Sequence, residues 1–199
     1  TGRYDSFIGA AILGEIAWYK NTDGKGTFGK KHVVTEIKTQ STVSYYIAVG
    51  DVNGDGWLDL VSIHDSQSYS YVDWWKNTDG QGNFQQKSVS RRRAWGVQVL
   101  YSVTVGDFNG DGWLDIVTGS GGNIAWYNNT DGMGTFGQQI IVTTEIQKTR
   151  SLAAADVNGD GWLDLVSVSW GAGWIPGATY HMIAWYNNTD GKGTFGEQM

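Results

Sequence analysis

The 199-residue sequence has no cysteine and one proline, Pro176. The absence of cysteine excludes a disulfide framework and any thiolate-bound metal. With proline nearly missing, chain reversals fall to glycine (29 residues), asparagine and aspartate; frequent tight turns between aromatic-rich strands would give this composition. No apolar run approaches the roughly 18 residues of a membrane-spanning helix, so membrane insertion is not expected. No signal peptide is expected either, since the first residues already read as folded repeat. Catalytic signals are equally sparse. Glutamate occurs at positions 15, 36, 145 and 197, none in a repeated loop. The three histidines, His32, His64 and His181, occupy unlike places. His64, Asp65 and Ser66 are consecutive, and strand neighbours point to opposite faces, so they cannot form a triad. There is no glycine-rich phosphate loop. The sequence therefore reads as non-enzymatic.

What is present is one phrase written three times, at residues 51–61, 107–117 and 156–166. The first copy is Asp-Val-Asn-Gly-Asp-Gly-Trp-Leu-Asp-Leu-Val. Each copy puts oxygen-bearing side chains at positions 1, 3, 5 and 9 and glycine at position 6, the front of an EF-hand calcium loop. Calcium takes six to eight oxygen ligands, and the glycine permits the sharp turn that would gather them. An EF-hand would continue with glutamate at position 12 and flanking helices; here position 12 is Ser62, Thr118 or Ser167, and both flanks read as strand. The three loops hold nine of the twenty acidic residues, so about three Ca2+ ions would cancel the formal charge of −6. The acidic balance argues against nucleic acid as a partner. The lack of disulfides does not exclude an extracellular location, because calcium can take over their stapling role.

A second phrase alternates with the first, running from Ile16-Ala17-Trp18-Tyr19 through Asn21-Thr22-Asp23-Gly24 to Phe28-Gly29. Its tryptophans fall at 18, 74, 126 and 185, and the loops begin at 51, 107 and 156. A period near fifty with strand-type patterning predicts the four-stranded antiparallel blades of a β-propeller. One unit predicts strands at 44–50, 58–63, 71–76 and 84–89, with Asp79-Gly80 in the hairpin turn. The blades are then roughly 1–40 (partial), 41–90, 91–145 and 146–199, about three and a half in all, within a single 1–199 segment. Both ends read as cut within a blade, which suggests a segment of a longer array or blades completed between copies. The third unit carries an insertion, 170–177, placed in the loop between its second and third strands. Trp18, Trp74, Trp126 and Trp185 are expected between blades. Trp57, Trp113 and Trp162 are expected at the surface or over the loops.

These motifs resemble the FG-GAP/VCBS repeat of integrin-α-like propellers and integrin-like lectins, over nearly the whole chain. The resemblance implies Ca2+ held by Asp51, Asn53, Asp55, the Trp57 carbonyl and Asp59. The matching sets are Asp107, Asn109, Asp111, Trp113 and Asp115, then Asp156, Asn158, Asp160, Trp162 and Asp164. Only Asp5 remains of a loop in the first unit, so no complete site is expected there.

The function expected on this basis is that of an extracellular or cell-surface calcium-binding propeller for recognition or adhesion, with a carbohydrate or glycoprotein ligand. Repeated aromatics beside polar loops would suit a multivalent lectin. Trp170 and Trp174, which break the repeat, are the candidate ligand contacts. Arg91-Arg92-Arg93 reads as a solvated loop or a contact for an acidic glycan. Asn128-Asn129-Thr130 and Asn187-Asn188-Thr189 are glycosylation sequons at Asn128 and Asn187, or simply good turns. The alternative is a structural repeat subunit of a cell-surface or extracellular filament, glycosylated and joined to other copies of itself. A further alternative is the propeller domain of a secreted polysaccharide lyase.

Overall fold

The computed structural model describes residues 12–39, 45–65, 68–93, 99–172 and 179–199. The chain divides into two units, Thr1–Val43 and Ser44–Met199. Asp5 and Trp174 lie outside the described residues.

In the first unit, β1 (Ile12–Asn21) pairs antiparallel with β2 (Phe28–Thr39). The register breaks at Ile16/Ala17 and at Tyr19/Asn21. Trp18 stacks on its cross-strand partner His32, ring centroids 4.4 Å apart, and Lys31 pairs with Glu15 at 2.6 Å. This hairpin corresponds to the third and fourth strands of a repeat.

The second unit contains three antiparallel sheets. The first is β3 (Tyr45–Gly50), β4 (Asp59–Asp65), β5 (Tyr69–Asn77) and β6 (Phe84–Arg93), in that order. The second is β7 (Leu100–Gly106), β8 (Asp115–Ser120), β9 (Ile124–Tyr127) and β10 (Ile140–Thr143). The third is β11 (Gln147–Ala155), β12 (Asp164–Ala172) and β13 (Thr179–Tyr186). The Asp-rich loop always joins a sheet's first strand to its second. The alternation of apolar residues had placed the first sheet's strands to within a few residues.

The core lies between sheets. Val52, Val61, Ile63, Val72 and Trp74 of the first sheet meet Leu100, Val103, Ile116 and Tyr127 of the second. Phe108, Val117, Ile124 and Trp126 of the second meet Ile146, Leu152, Leu165, Ala184 and Tyr186 of the third. Every residue of β8 is buried, because this strand has a sheet on each side. Full burial of each large aliphatic side chain contributes about 1.5–3 kcal/mol, so each repeat is stabilised mainly by its neighbours rather than by its own sheet.

The expected β-propeller of about three and a half blades is not formed, and the fold class is corrected to an all-β, multi-sheet tandem repeat. The four sheets are separate, and none has its first and last strands paired. Ile183 is 75% exposed, whereas its repeat counterparts Val72 and Ile124 are 2% and 0% exposed beneath the following sheet.

Two local expectations also change. Arg91, Arg92 and Arg93 are not in a loop: they end β6, paired with Tyr71, Ser70 and Tyr69 of β5, and Arg91 lies 4.0 Å from the Tyr69 ring centre. The cross-strand tyrosines give the arginine stems a surface to lie on, which extends the strand. The insertion is not all loop: β12 and β13 stay paired through Trp170↔His181 to Ala172↔Thr179, and residues 173–178 lie outside the described residues.

Candidate functional site

Each repeat brings two loops to the same end of its sheet: the Asp-rich loop and the Asn-Thr-Asp-Gly hairpin. In the first Asp-rich loop, Asp51 accepts the N–H groups of Asp55 (3.1 Å) and Gly56 (2.8 Å). Asn53 Oδ1 accepts the Asp55 N–H, and Asp55 Oδ1 that of Trp57, at 3.0 and 3.1 Å. The turn at Gly56 needs φ +88°, a conformation glycine adopts without strain. The second loop repeats these bonds through Asp107, Asn109 and Asp111, and the third through Asp156, Asn158 and Asp160. The loops are thus folded by their own side chains.

The position-9 aspartates face inward. Asp59 Oδ1 accepts the Asn77 N–H at 2.7 Å, and its Oδ2 accepts the Trp74 indole N–H at 3.0 Å. Asp115 accepts from Asn129 and Phe108, and Asp164 from Asn188 and Val157. All three are fully buried. Burial raises the Asp59 carboxyl above its ordinary value and pushes Asp115 up to about 7, against the opposing pull of their N–H donors.

The donor set, carboxylate and amide oxygens, suits a hard divalent cation by kind. Its arrangement is not a closed cage: among the described residues, no three of His, Cys, Asp and Glu gather where they could hold a metal ion. Positions 1, 3 and 5 stay on the loop while position 9 anchors the sheet. Trp57, Trp113 and Trp162 lie against the hairpin glycines Gly80, Gly132 and Gly191 and are about two-fifths exposed (42%, 40% and 41%).

The hairpins contain the residues that sequence reasoning missed. Asn129 Nδ2 donates to the carbonyl of Val52, 77 residues earlier, at 2.8 Å, and to Leu114 O at 3.2 Å. Asn188 Nδ2 repeats this with Phe108 O, 80 residues earlier, at 2.8 Å, and with Leu163 O at 3.2 Å. Both asparagines are fully buried. Each therefore clasps its own Asp-rich loop to that of the preceding repeat. The signal available was recurrence: asparagine stands three residues after the repeated tryptophan at 21, 77, 129 and 188, while the residue before it varies.

That variable residue also reaches the loop. Lys76 pairs with Asp55 at 3.2 Å, Asn128 Oδ1 accepts from Asn109 at 3.1 Å, and Asn187 Oδ1 accepts from Asn158 at 3.1 Å. The sequon asparagines are thus half-buried on the loop face. Trp170 is half-buried in β12, with Arg150 4.4 Å and Lys148 5.6 Å from its ring centre and His181 edge-on. The expectation of a carbohydrate-recognition propeller is corrected on these grounds. It presumed a propeller, and the sheets do not close into one.

The pattern that defines the FG-GAP-like repeat matches the chain at residues 1–62, 51–118 and 107–167. The second and third matches each run from one Asp-rich loop through the next. No match to an individual curated protein was found.

Proposed function

The chain belongs to the FG-GAP-like repeat family, and on that premise we propose that it is a non-catalytic structural repeat module of a cell-surface or extracellular assembly. One observation carries this reading. Successive repeats are locked to one another by buried side-chain-to-backbone bonds, Asn129 to Val52 and Asn188 to Phe108. Interlocking of this kind transmits load and length from repeat to repeat, and an array built this way grows by adding like units. The sparse catalytic inventory agrees with a non-enzymatic role. Among the described residues, no helix is long and apolar enough to cross a membrane.

The proposal includes Ca2+ at the three Asp-rich loops, held by the side chains at positions 1, 3, 5 and 9 and the tryptophan carbonyl at 7. Bound there, each ion would supply charge neutralisation to the three carboxylates of its loop. Glycans would attach at Asn128 and Asn187, beside the loops; a mass decrease on glycosidase treatment checks this.

The assembly reading is tested in the source organism with an antibody to the chain. The protein should fractionate with surface or extracellular material, in complexes much heavier than the chain itself. A free intracellular species of monomer mass would overturn it.

A further inference from the structure

The outer strand of the first sheet, β6, is paired on one side only, to β5. Its register shifts once, at Val72/Asp73, where Val89 is the extra residue. Cross-strand partners share a face, so this bulge decides which arginine points where. Before it, Lys87 lies with Trp74. Beyond it, Ser90 and Arg92 share the face of Val72 and Ser70, which is turned to the second repeat. An unbulged strand would put Val89 and Arg91 there. Arg91 goes to the other face and rests on the Tyr69 ring.

A groove of about 540 Å³ runs beside this strand. One wall is four consecutive residues of β6, 89–92, and the other is four consecutive residues of the second repeat, 136–139; the buried Tyr127 also lines it. Successive side chains of a strand point to opposite faces. Four in a row therefore mean that the groove follows the strand's edge, where unpaired N–H and C=O groups lie. The lining is cationic. Among the described residues it holds Arg91 and Arg92 and no carboxylate, and none of their carboxylates pairs with Arg92. Its other polar side chains, such as Ser90, Gln138 and Gln139, are neutral. Burial pushes the Tyr127 phenol up, while a hydrogen bond with Ser90 and the charge of Arg92 pull it down, so that charge acts within the groove. β6 runs away from the Asp-rich loop, and its arginines stand at the opposite end of the sheet from those carboxylates.

We propose that this groove binds an extended acidic segment of a partner polypeptide, which adds a strand to the edge of β6 and sets a carboxylate against Arg92. A slot between two stretches of backbone suits an extended chain. Main-chain bonds to the edge supply the affinity, and the guanidinium selects a carboxylate by charge-assisted hydrogen bonds. The proposal goes beyond the assembly reading and does not rest on it.

Fluorescence anisotropy with the full chain tests this, using a labelled peptide of alternating glutamate and threonine. The peptide should bind, more weakly as salt rises, and a glutamine–threonine peptide should not. Arg92→Gln should weaken binding at least about tenfold, the loss of about 1.4 kcal/mol. Arg92 is exposed, and an unchanged melting curve establishes that the variant folds. Replacing the threonines of the peptide by proline keeps every carboxylate, removes N–H donors and should abolish binding. Hydrogen exchange of the parent gives a readout that needs no variant: the amides of residues 89–92 should slow when the acidic peptide is added. An acidic peptide that does not bind, a neutral peptide that binds equally, an Arg92→Gln chain that binds like the parent, or unchanged exchange at 89–92 would each overturn the proposal. So would a proline peptide or free glutarate that competes as well as the acidic peptide, since the groove would then take carboxylates without pairing a strand.

Discussion

At the scale of single residues, the most informative side chain is Asn129. Its amide nitrogen is shared between the Val52 and Leu114 carbonyls in a site without solvent. Asn129→Ala leaves the Val52 carbonyl unpaired and buried, at a cost of about 2–3 kcal/mol. The exposed counterpart change Asn21→Ala should stay within about 0.5 kcal/mol. Denaturant unfolding of both variants checks this, and equal losses would contradict it. Asp73 gives a second residue-level test. Its carboxyl is raised above 3.8 chiefly by burial, with His64 3.5 Å away pulling the other way. The His64 imidazole is lowered from 6.5, again chiefly by burial. A raised carboxyl gives its full stabilisation below pH 3.8 and loses it as pH rises through the folded value; a lowered imidazole gives its own above 6.5 and loses it as pH falls. Asp73→Asn abolishes the first titration and, by removing the Asp73 charge that holds the imidazole up, lowers His64 further, which weakens the variant at acid pH in the same direction. The melting temperature of the variant relative to the parent should therefore rise from acid pH to neutrality, and a constant difference would contradict the assignment.

At the scale of elements, each repeat is a sheet with two self-folded loops at one end. The Asp-rich loops hold their shape through internal bonds to backbone N–H groups, so they can exist before an ion arrives. Calcium should raise the melting temperature of the parent more than magnesium does, because magnesium demands stricter octahedral geometry. Asp111→Ala should remove most of the second repeat's share of that increase. A mutant whose melting follows the parent at every calcium concentration would remove this loop from the ligand assignment. The strands were legible in the sequence because apolar residues alternate between turn signals, as β3 to β6 demonstrate. The clasp was not. Asn129 sits in Asn-Thr-Asp-Gly, where a local reading finds a turn or a sequon, while its bonding partner is 77 residues away. The loop-folding role of Asp51 and Asp55 was also hidden, since the same oxygens that suit a cation also suit N–H groups.

At the scale of the molecule, the repeat family was legible and the closure was not. A period near fifty is the same for a ring and for an open succession. The difference lies in sheet topology, which a period does not carry: the sheets are separate and none closes on itself. What the sequence did carry, three intact loops and four tryptophan phrases, fixes one repeat after another but not the end state. The central claim is that neighbouring repeats are coupled through the asparagine clasp. Hydrogen–deuterium exchange of Asn129→Ala tests it most directly. Exchange should accelerate together in the first repeat's loop, residues 51–59, and in the second repeat's hairpin, residues 129–136. Acceleration confined to the hairpin that carries the substitution would contradict the coupling and, with it, the account of the chain as an interlocked structural module.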